Sequence, residues 1–97
     1  MVLGVSIAEE EIIRSILKPH MDEYDFFYYG SRVKGKYSKV SDLDILIKSN
    51  SPMPVEILET IKEKFDNSSI PYIVHFSDYN KIDTDFYKLI EKDLVRI

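Results

Sequence analysis

The sequence predicts an α/β (α+β) fold in which a small mixed β-sheet is covered by helices, mainly on one face. Two observations lead to this prediction. Three short runs rich in aromatic and β-branched residues, 24–29, 43–47 and 72–76, alternate with segments of helical periodicity. A chain of 97 residues, 44% of them hydrophobic, also has the usual size of one domain, so residues 1–97 are expected to form a single unit.

The first third of the chain predicts a helix followed by a strand. Ser6 and Glu9 have the spacing of a capping box, and Pro19 marks the end of the helix. The aromatic run 24–29 then predicts a strand that stops at Gly30. The apolar stripe of the helix consists of Ile12, Ile13, Ile16 and Leu17.

The later elements are predicted from the same two periodicities. Residues 31–35 are expected to form a short helix, and the apolar run 43–47 is typical of an interior strand buried on both faces. Helical spacing returns over 55–65, and Pro71 introduces the third strand, 72–76. Apolar residues at helical spacing predict a last helix over 85–95. The order of elements is therefore helix, strand, short helix, strand, helix, strand, helix.

Composition excludes several classes of protein. The formal net charge is −4, whereas a dedicated nucleic-acid binder needs a basic surface. No apolar run approaches the roughly 20 residues that cross a bilayer. The chain has no cysteine, which removes disulfides and thiolate metal sites. We expect a cytoplasmic protein without membrane association.

Two short motifs indicate a nucleotide site. Gly30 and Ser31 form a turn into a helix, where free backbone N–H groups can hold a phosphate. Asp42 and Asp44 are spaced i, i+2 at the start of a strand, so both carboxylates point to one face. Like charges that close favour a bound divalent cation. The basic residues Arg32, Lys34, Lys36 and Lys39 lie between the motifs and suit a triphosphate, although each alone is equally typical of a solvated loop.

These motifs resemble a known family. Gly30-Ser31, ten intervening residues, and Asp42-Leu43-Asp44 are similar to the signature of the DNA polymerase β-like nucleotidyltransferase superfamily. The segment from Gly30 to Gly35 looks most like the minimal nucleotidyltransferases, and the resemblance covers nearly the whole chain. It implies the minimal form of the polymerase β-like nucleotidyltransferase fold.

The resemblance also implies roles for individual residues. Gly30 and Ser31 would hold the triphosphate of ATP, with Arg32 and Lys34 as additional phosphate contacts. Asp42 and Asp44 would hold Mg²⁺ and act as catalytic residues. Gly35 would allow the backbone to turn.

One position departs from the family pattern. Relatives carry a third carboxylate on the later strand, and this sequence has His75 there. His75 is either a metal ligand or general base, for which Mn²⁺ suits imidazole better than Mg²⁺, or part of a site that binds nucleotide with little transfer. It is otherwise an ordinary strand histidine hydrogen-bonded to a neighbour. Asp78 is expected to lie beyond the strand, and Tyr28 or Tyr72 is the candidate to face the cleft.

The family resemblance suggests the biological role. Minimal nucleotidyltransferases resemble the antitoxin half of a toxin–antitoxin pair whose other half is a helical protein of the HEPN class. Such an antitoxin transfers AMP from ATP to a tyrosine of its partner, neutralises it by contact, or does both. The leading prediction is an adenylyltransferase with activity weakened by His75, and the alternative is an inactive binding module. Transfer to a small molecule would need an added domain. A homo-oligomer is compatible with this reading.

Overall fold

The computed structural model of the protein describes residues 2–97 and contains four helices and four strands in that range. Two short 3₁₀ turns follow the first and last helices. The helices are α1 (Ile7–Leu17), α2 (Ser31–Lys34), α3 (Val55–Asp66) and α4 (Thr84–Ile90), and the strands are β1 (Asp25–Tyr29), β2 (Leu43–Lys48), β3 (Val74–Asp78) and β4 (Val95–Arg96).

The strands form one mixed sheet in the order β3-β2-β1-β4. Strand β2 pairs antiparallel with β1 and parallel with β3, while the short β4 pairs antiparallel with the other side of β1. Because β2 lies between two partners, its register fixes which side chains stand next to each other. Asp44 lies opposite Tyr29 on β1 and beside His75 on β3.

The two faces of the sheet have different contents. Helices α1 and α3 contribute the buried residues Ile13, Leu17, Ile61 and Phe65, which share one apolar core with alternate side chains of β1 and β2. These sheet residues are Phe26, Tyr28, Leu43, Ile45 and Ile47. Asp44 and Leu46 alternate with them and therefore face the opposite side, where α4 packs through Phe86 on Tyr29.

Local sequence signals explain the start of α1. The Ser6 hydroxyl accepts the Glu9 N–H at 3.1 Å, and the Glu9 carboxylate accepts the Ser6 N–H at 2.9 Å, which completes the predicted capping box. The helix ends at Leu17, just before the turn that contains Pro19. None of the helices within residues 2–97 has the length and apolar character that a membrane span requires.

The fold class and most of the predicted elements are confirmed, but two predictions were wrong. The expected last helix over 85–95 is α4, a 3₁₀ turn and the fourth strand β4. Strand β3 is shifted two residues toward the C-terminus, so Tyr72 precedes the strand and Asp78 belongs to it. The two-residue β4 leaves too short a pattern to be distinguished from the end of an amphipathic helix.

Candidate active site

The sheet brings the three candidate catalytic residues together. Asp42 directly precedes β2, Asp44 lies on it, and His75 is the neighbour of Asp44 on β3. The His75 Nε2 and the Asp42 Oδ2 are 2.9 Å apart. The side chains of Asp42 and His75 are 41% and 61% exposed, so this cluster lies on an open surface.

The contact with Asp42 orients the imidazole of His75. If Nε2 carries the proton that it donates to the carboxylate, the neutral ring has its lone pair on Nδ1. A histidine whose second nitrogen is free can accept a proton from an incoming hydroxyl. The geometry is therefore compatible with a general base as well as with a strand histidine that hydrogen-bonds to its neighbour.

Asp44 is the least solvated carboxylate of the cluster. Burial raises the pKa of the Asp44 carboxyl above its ordinary value, the His75 ring lowers that pKa, and the nearby Asp42 carboxylate raises it. A cation placed between Asp42 and Asp44 would stabilise the ionised Asp44 carboxylate, because the cation offsets both the lost hydration and the repulsion between the two carboxylates.

A glycine turn lies directly against Asp44. Gly30 has φ of 86° and ψ of −159°, and a Cβ atom there would overlap the Oδ2 of Asp44. The turn begins α2, so the N–H groups of Ser31 and Arg32 belong to its first turn and have no acceptor within the helix. Free backbone donors and the Asp44 carboxylate thus lie side by side, an arrangement that suits a nucleoside triphosphate with its metal ion.

Arg32 and Lys34, the two predicted phosphate contacts of α2, differ in accessibility. Arg32 is 4% exposed, and its guanidinium donates hydrogen bonds to backbone carbonyls. Lys34 is half-exposed and its Nζ lies 3.5 Å from the Asp93 Oδ2. Because the Asp93 Oδ2 is buried and has no hydrogen-bond partner among residues 2–97, turning Lys34 toward a phosphate would leave this oxygen without its counter-charge.

Tyr29 and Ser77 complete the floor of the site. The Tyr29 hydroxyl is 2.8 Å from the Ser77 hydroxyl, which ties β1 to β3 across the fully buried Leu46. Burial raises the pKa of Tyr29, so the phenol stays neutral beside Asp44. Phe86 of α4 packs edge-on against the Tyr29 ring.

The prediction that Tyr28 or Tyr72 faces the cleft was wrong, because Tyr29 is the tyrosine that lies beside Asp44. Tyr28 points into the core and donates to Glu10, and Tyr72 lies against Arg32. Alternation along β1 places Tyr28 and Tyr29 on opposite faces, but one strand read alone does not show which face meets Asp44. The pairing of Tyr29 with Asp44 is the signal that was missing.

Asp78 also has a defined place, inside β3 rather than beyond it. Its Oδ2 accepts the Met53 N–H at 2.8 Å and its Oδ1 accepts the Asn80 N–H at 2.9 Å. Both carboxylate oxygens therefore hold the loops after β2 and β3. This use, rather than its distance from the strand, makes Asp78 a poor replacement for the third acid.

The donor set fits Mg²⁺ only together with a substrate. Within residues 2–97 no cluster of three or more acidic, histidine or cysteine side chains is arranged to hold a metal. Mg²⁺ is commonly bound by one or two carboxylates, with phosphate oxygens and water completing its octahedral shell. Asp42 and Asp44 supply such a pair, and the adjacent Gly30–Ser31 turn is placed to bring the phosphates.

Two comparisons with known proteins agree with this geometry. Residues 10–97 match the family described as "Nucleotidyltransferase domain". The chain is also similar to the "Probable protein adenylyltransferase MntA" of Haemophilus influenzae. The two sequences are 36% identical over 95 residues, which cover 98% of this chain and 83% of the relative.

Replacing the glycine beside Asp44 is expected to destabilise the fold more than replacing the glycine at the end of α2. Gly30→Ala and Gly35→Ala both place a side chain at positive φ. The left-handed conformation of Gly35 costs another residue about 1–2 kcal/mol, and the conformation of Gly30, with ψ of −159°, is essentially restricted to glycine and costs up to roughly 3 kcal/mol. Only Gly30→Ala also collides with Asp44, and we expect this overlap to add roughly 1–3 kcal/mol. Urea unfolding of the two variants gives the difference, and equal losses would show that Gly30 is not pressed against Asp44.

Removing the charge of Asp44 is expected to stabilise the nucleotide-free protein. The pKa of the Asp44 carboxyl is higher in the folded than in the unfolded chain. At a pH between these two pKa values, the carboxyl is therefore mostly protonated in the folded chain and mostly ionised in the unfolded chain. The ionised group therefore costs stability above its folded pKa, and this cost disappears as the pH falls below the unfolded value. Asp44→Asn should melt at a higher temperature than wild type at about pH 7 and lose this advantage in acid.

The matched control for this melting series is Asp66→Asn, which removes the same formal charge from an exposed position of α3. Thermal unfolding of the three proteins across the acidic range separates the local effect from net charge. A variant Asp44→Asn that is less stable than wild type at neutral pH would show that the carboxylate supports the fold.

Proposed function

Because this chain belongs to the nucleotidyltransferase domain family, we propose that it transfers the AMP group of ATP to a tyrosine hydroxyl of a protein partner. The observation that carries the proposal is the meeting of Asp42, Asp44 and His75 beside the Gly30 turn. Carboxylates, a potential base and phosphate-binding backbone groups then lie within reach of one bound nucleotide.

The triphosphate is proposed to lie on the Gly30–Ser31 turn. The backbone N–H groups at the start of α2 and the Ser31 hydroxyl donate to phosphate oxygens, and Lys34 can add a charge-assisted contact. Asp42 and Asp44 hold Mg²⁺, which when bound offsets the negative charge that builds up around the α-phosphate and the departing pyrophosphate. ATP as the donor also fits the cytoplasmic location that the sequence predicts.

His75 is proposed to accept the proton of the attacking hydroxyl. With Nε2 held by Asp42, Nδ1 is the nitrogen available to the acceptor. The acceptor oxygen forms a bond to the α-phosphorus, the bond between that phosphorus and the oxygen bridging to the β-phosphate breaks, and pyrophosphate leaves. Imidazole in place of a carboxylate supplies no negative charge, so we expect slower transfer than in relatives with three acids.

A protein is the acceptor that this surface suits best. The cluster is open, with His75 mostly exposed, so it encloses no small acceptor molecule. An acceptor must then be presented by another molecule, and the relative from Haemophilus influenzae is described as a "Probable protein adenylyltransferase". We propose that the partner is a helical toxin of the HEPN class, with this chain as its antitoxin.

The competing proposal is a binding module without chemistry. It is favoured by one contact, the hydrogen bond from His75 to Asp42, which occupies an oxygen that a metal would need. In that case the chain neutralises its partner by contact alone, and the nucleotide site serves at most for binding.

Transfer of label from α-labelled ATP to the co-purified partner separates the two proposals. We expect label with wild type in Mg²⁺ or Mn²⁺, and more label with His75→Asp, which restores the third acid. Asp42→Asn and Asp44→Asn should reduce transfer by roughly 100-fold or more, the scale of losing a group that stabilises transition-state charge. Asp66→Asn on α3 is the matched control and should transfer like wild type.

Label that appears only with His75→Asp would support the binding module. Neutralisation of the partner by Asp42→Asn and Asp44→Asn as effective as by wild type would show that transfer is not needed for that role. Absence of label from every protein, with the partner still bound, would overturn the proposed activity.

A further inference from the structure

Arg32 is the one charged or polar residue buried among residues 2–97, with 4% of its surface exposed. A guanidinium removed from water is tolerated only where its N–H groups find acceptors. Its side chain lies on α2, one residue beyond the proposed phosphate-binding pair, and the proposed reaction gives it no part. The acceptors that it uses indicate what it does.

All three guanidinium nitrogens donate to backbone carbonyls. Nη1 donates to the Gly4 oxygen at 2.6 Å, and Nε donates to the Ser41 oxygen at 2.9 Å. Nη2 donates to the oxygens of Lys39 and Ser38 at 3.2 and 3.4 Å. The planar fork of arginine can reach carbonyls on both sides at once, whereas a lysine ammonium is a single point of contact.

Two tyrosines hold the guanidinium in this position. Its central carbon lies 3.7 Å from the ring centre of Tyr72 and 5.2 Å from that of Tyr37. The Tyr72 hydroxyl donates to Glu9 of the α1 capping box, and the Tyr37 hydroxyl donates to the Leu3 carbonyl. The cation is thus packed between aromatic faces that are themselves anchored.

The N-terminal segment also packs against Arg32, through Gly4. The Gly4 N–H donates to the Arg32 carbonyl at 3.1 Å, and a Cβ on Gly4 would overlap the Arg32 side chain. Gly4 therefore permits the close approach that the Nη1 hydrogen bond needs. Val2 and Val5 on either side of Gly4 are buried in the core, which fixes the segment.

We propose that Arg32 is a positioning residue that holds the loop 35–42 in the conformation that delivers Asp42 to the site. The Ser41 carbonyl, which accepts from Nε, is the peptide group that joins Ser41 to Asp42. Fixing that peptide fixes where the Asp42 carboxylate stands relative to Asp44 and His75. The N-terminal segment acts on the site through Gly4 and Arg32.

This role differs from a direct phosphate contact, which the position of Arg32 in the sequence suggests. A phosphate ligand must be reachable by solvent-borne substrate, and this guanidinium is enclosed by carbonyls and rings. The expected effect of Arg32 on metal binding rests on the proposed function, whereas its effect on the order of the loop 35–42 does not. The two can therefore be tested apart.

The test compares wild type with Arg32→Lys, which keeps the charge but loses the fork, and with Gly4→Ala, which keeps the arginine. Arg14→Lys, the same exchange at an exposed position of α1, is the matched control. Amide hydrogen exchange is measured on the metal-free proteins, and binding of a non-hydrolysable ATP analogue is titrated with and without Mn²⁺.

We expect the amides of Ser38 and Ser41, which donate to the Ser41 hydroxyl and the Ser38 carbonyl, to exchange at least about tenfold faster in Arg32→Lys and Gly4→Ala, while amides of α3 keep their protection. The gain in affinity for the analogue that Mn²⁺ provides should fall by about 10- to 100-fold, as for residues that orient metal ligands. Arg14→Lys should match wild type in both measurements. If Arg32→Lys does not fold, Gly4→Ala decides the outcome.

Unchanged exchange in the loop would overturn the inference whatever the metal does. An unchanged gain from Mn²⁺ together with weaker metal-free binding of the analogue would also overturn it, because that pattern belongs to a phosphate contact. If Mn²⁺ adds nothing to the affinity of wild type for the analogue while the loop exchanges faster in the variants, the positioning of the loop stands and the proposed metal site fails.

Discussion

The proposed site depends on two carboxylates, Asp42 and Asp44, that are held close together at the start of the buried strand β2. Asp44 lies on β2, whose neighbouring side chains are apolar, and burial makes its charge costly. Asp42 adds repulsion, and His75 offsets part of it from β3. The surrounding structure tolerates this cost because the opposite face of the same strand carries the core residues Ile45 and Ile47.

The site is supported by elements that carry no chemistry themselves. Gly30 allows the turn before α2 to lie against Asp44 without a side chain between them. The hydrogen bond between Tyr29 and Ser77 joins β1 to β3 across β2, on the face of the sheet that carries Asp44. In a chain of 97 residues one β-sheet thus provides both the core and the surface that we propose as the substrate site.

Local signals were enough to predict most of the fold and the identity of the central cluster. The capping box, the apolar run of β2 and the pair of acids depend on residues close in sequence. Tyr29 and the burial of Arg32 were not predicted, because strand register and tertiary packing determine them. Strand β4 was missed because its two residues are defined by pairing with β1 rather than by their own pattern.

A crystal structure with Mg²⁺ and a non-hydrolysable ATP analogue tests the central claim most directly. We predict a metal in contact with both Asp42 and Asp44 and a triphosphate on the N–H groups of the Gly30–Ser31 turn. The same crystals of Asp44→Asn should lack the metal. A nucleotide bound elsewhere, or one bound at the turn while Asp42 stays hydrogen-bonded to His75 without a metal, would contradict the proposed site.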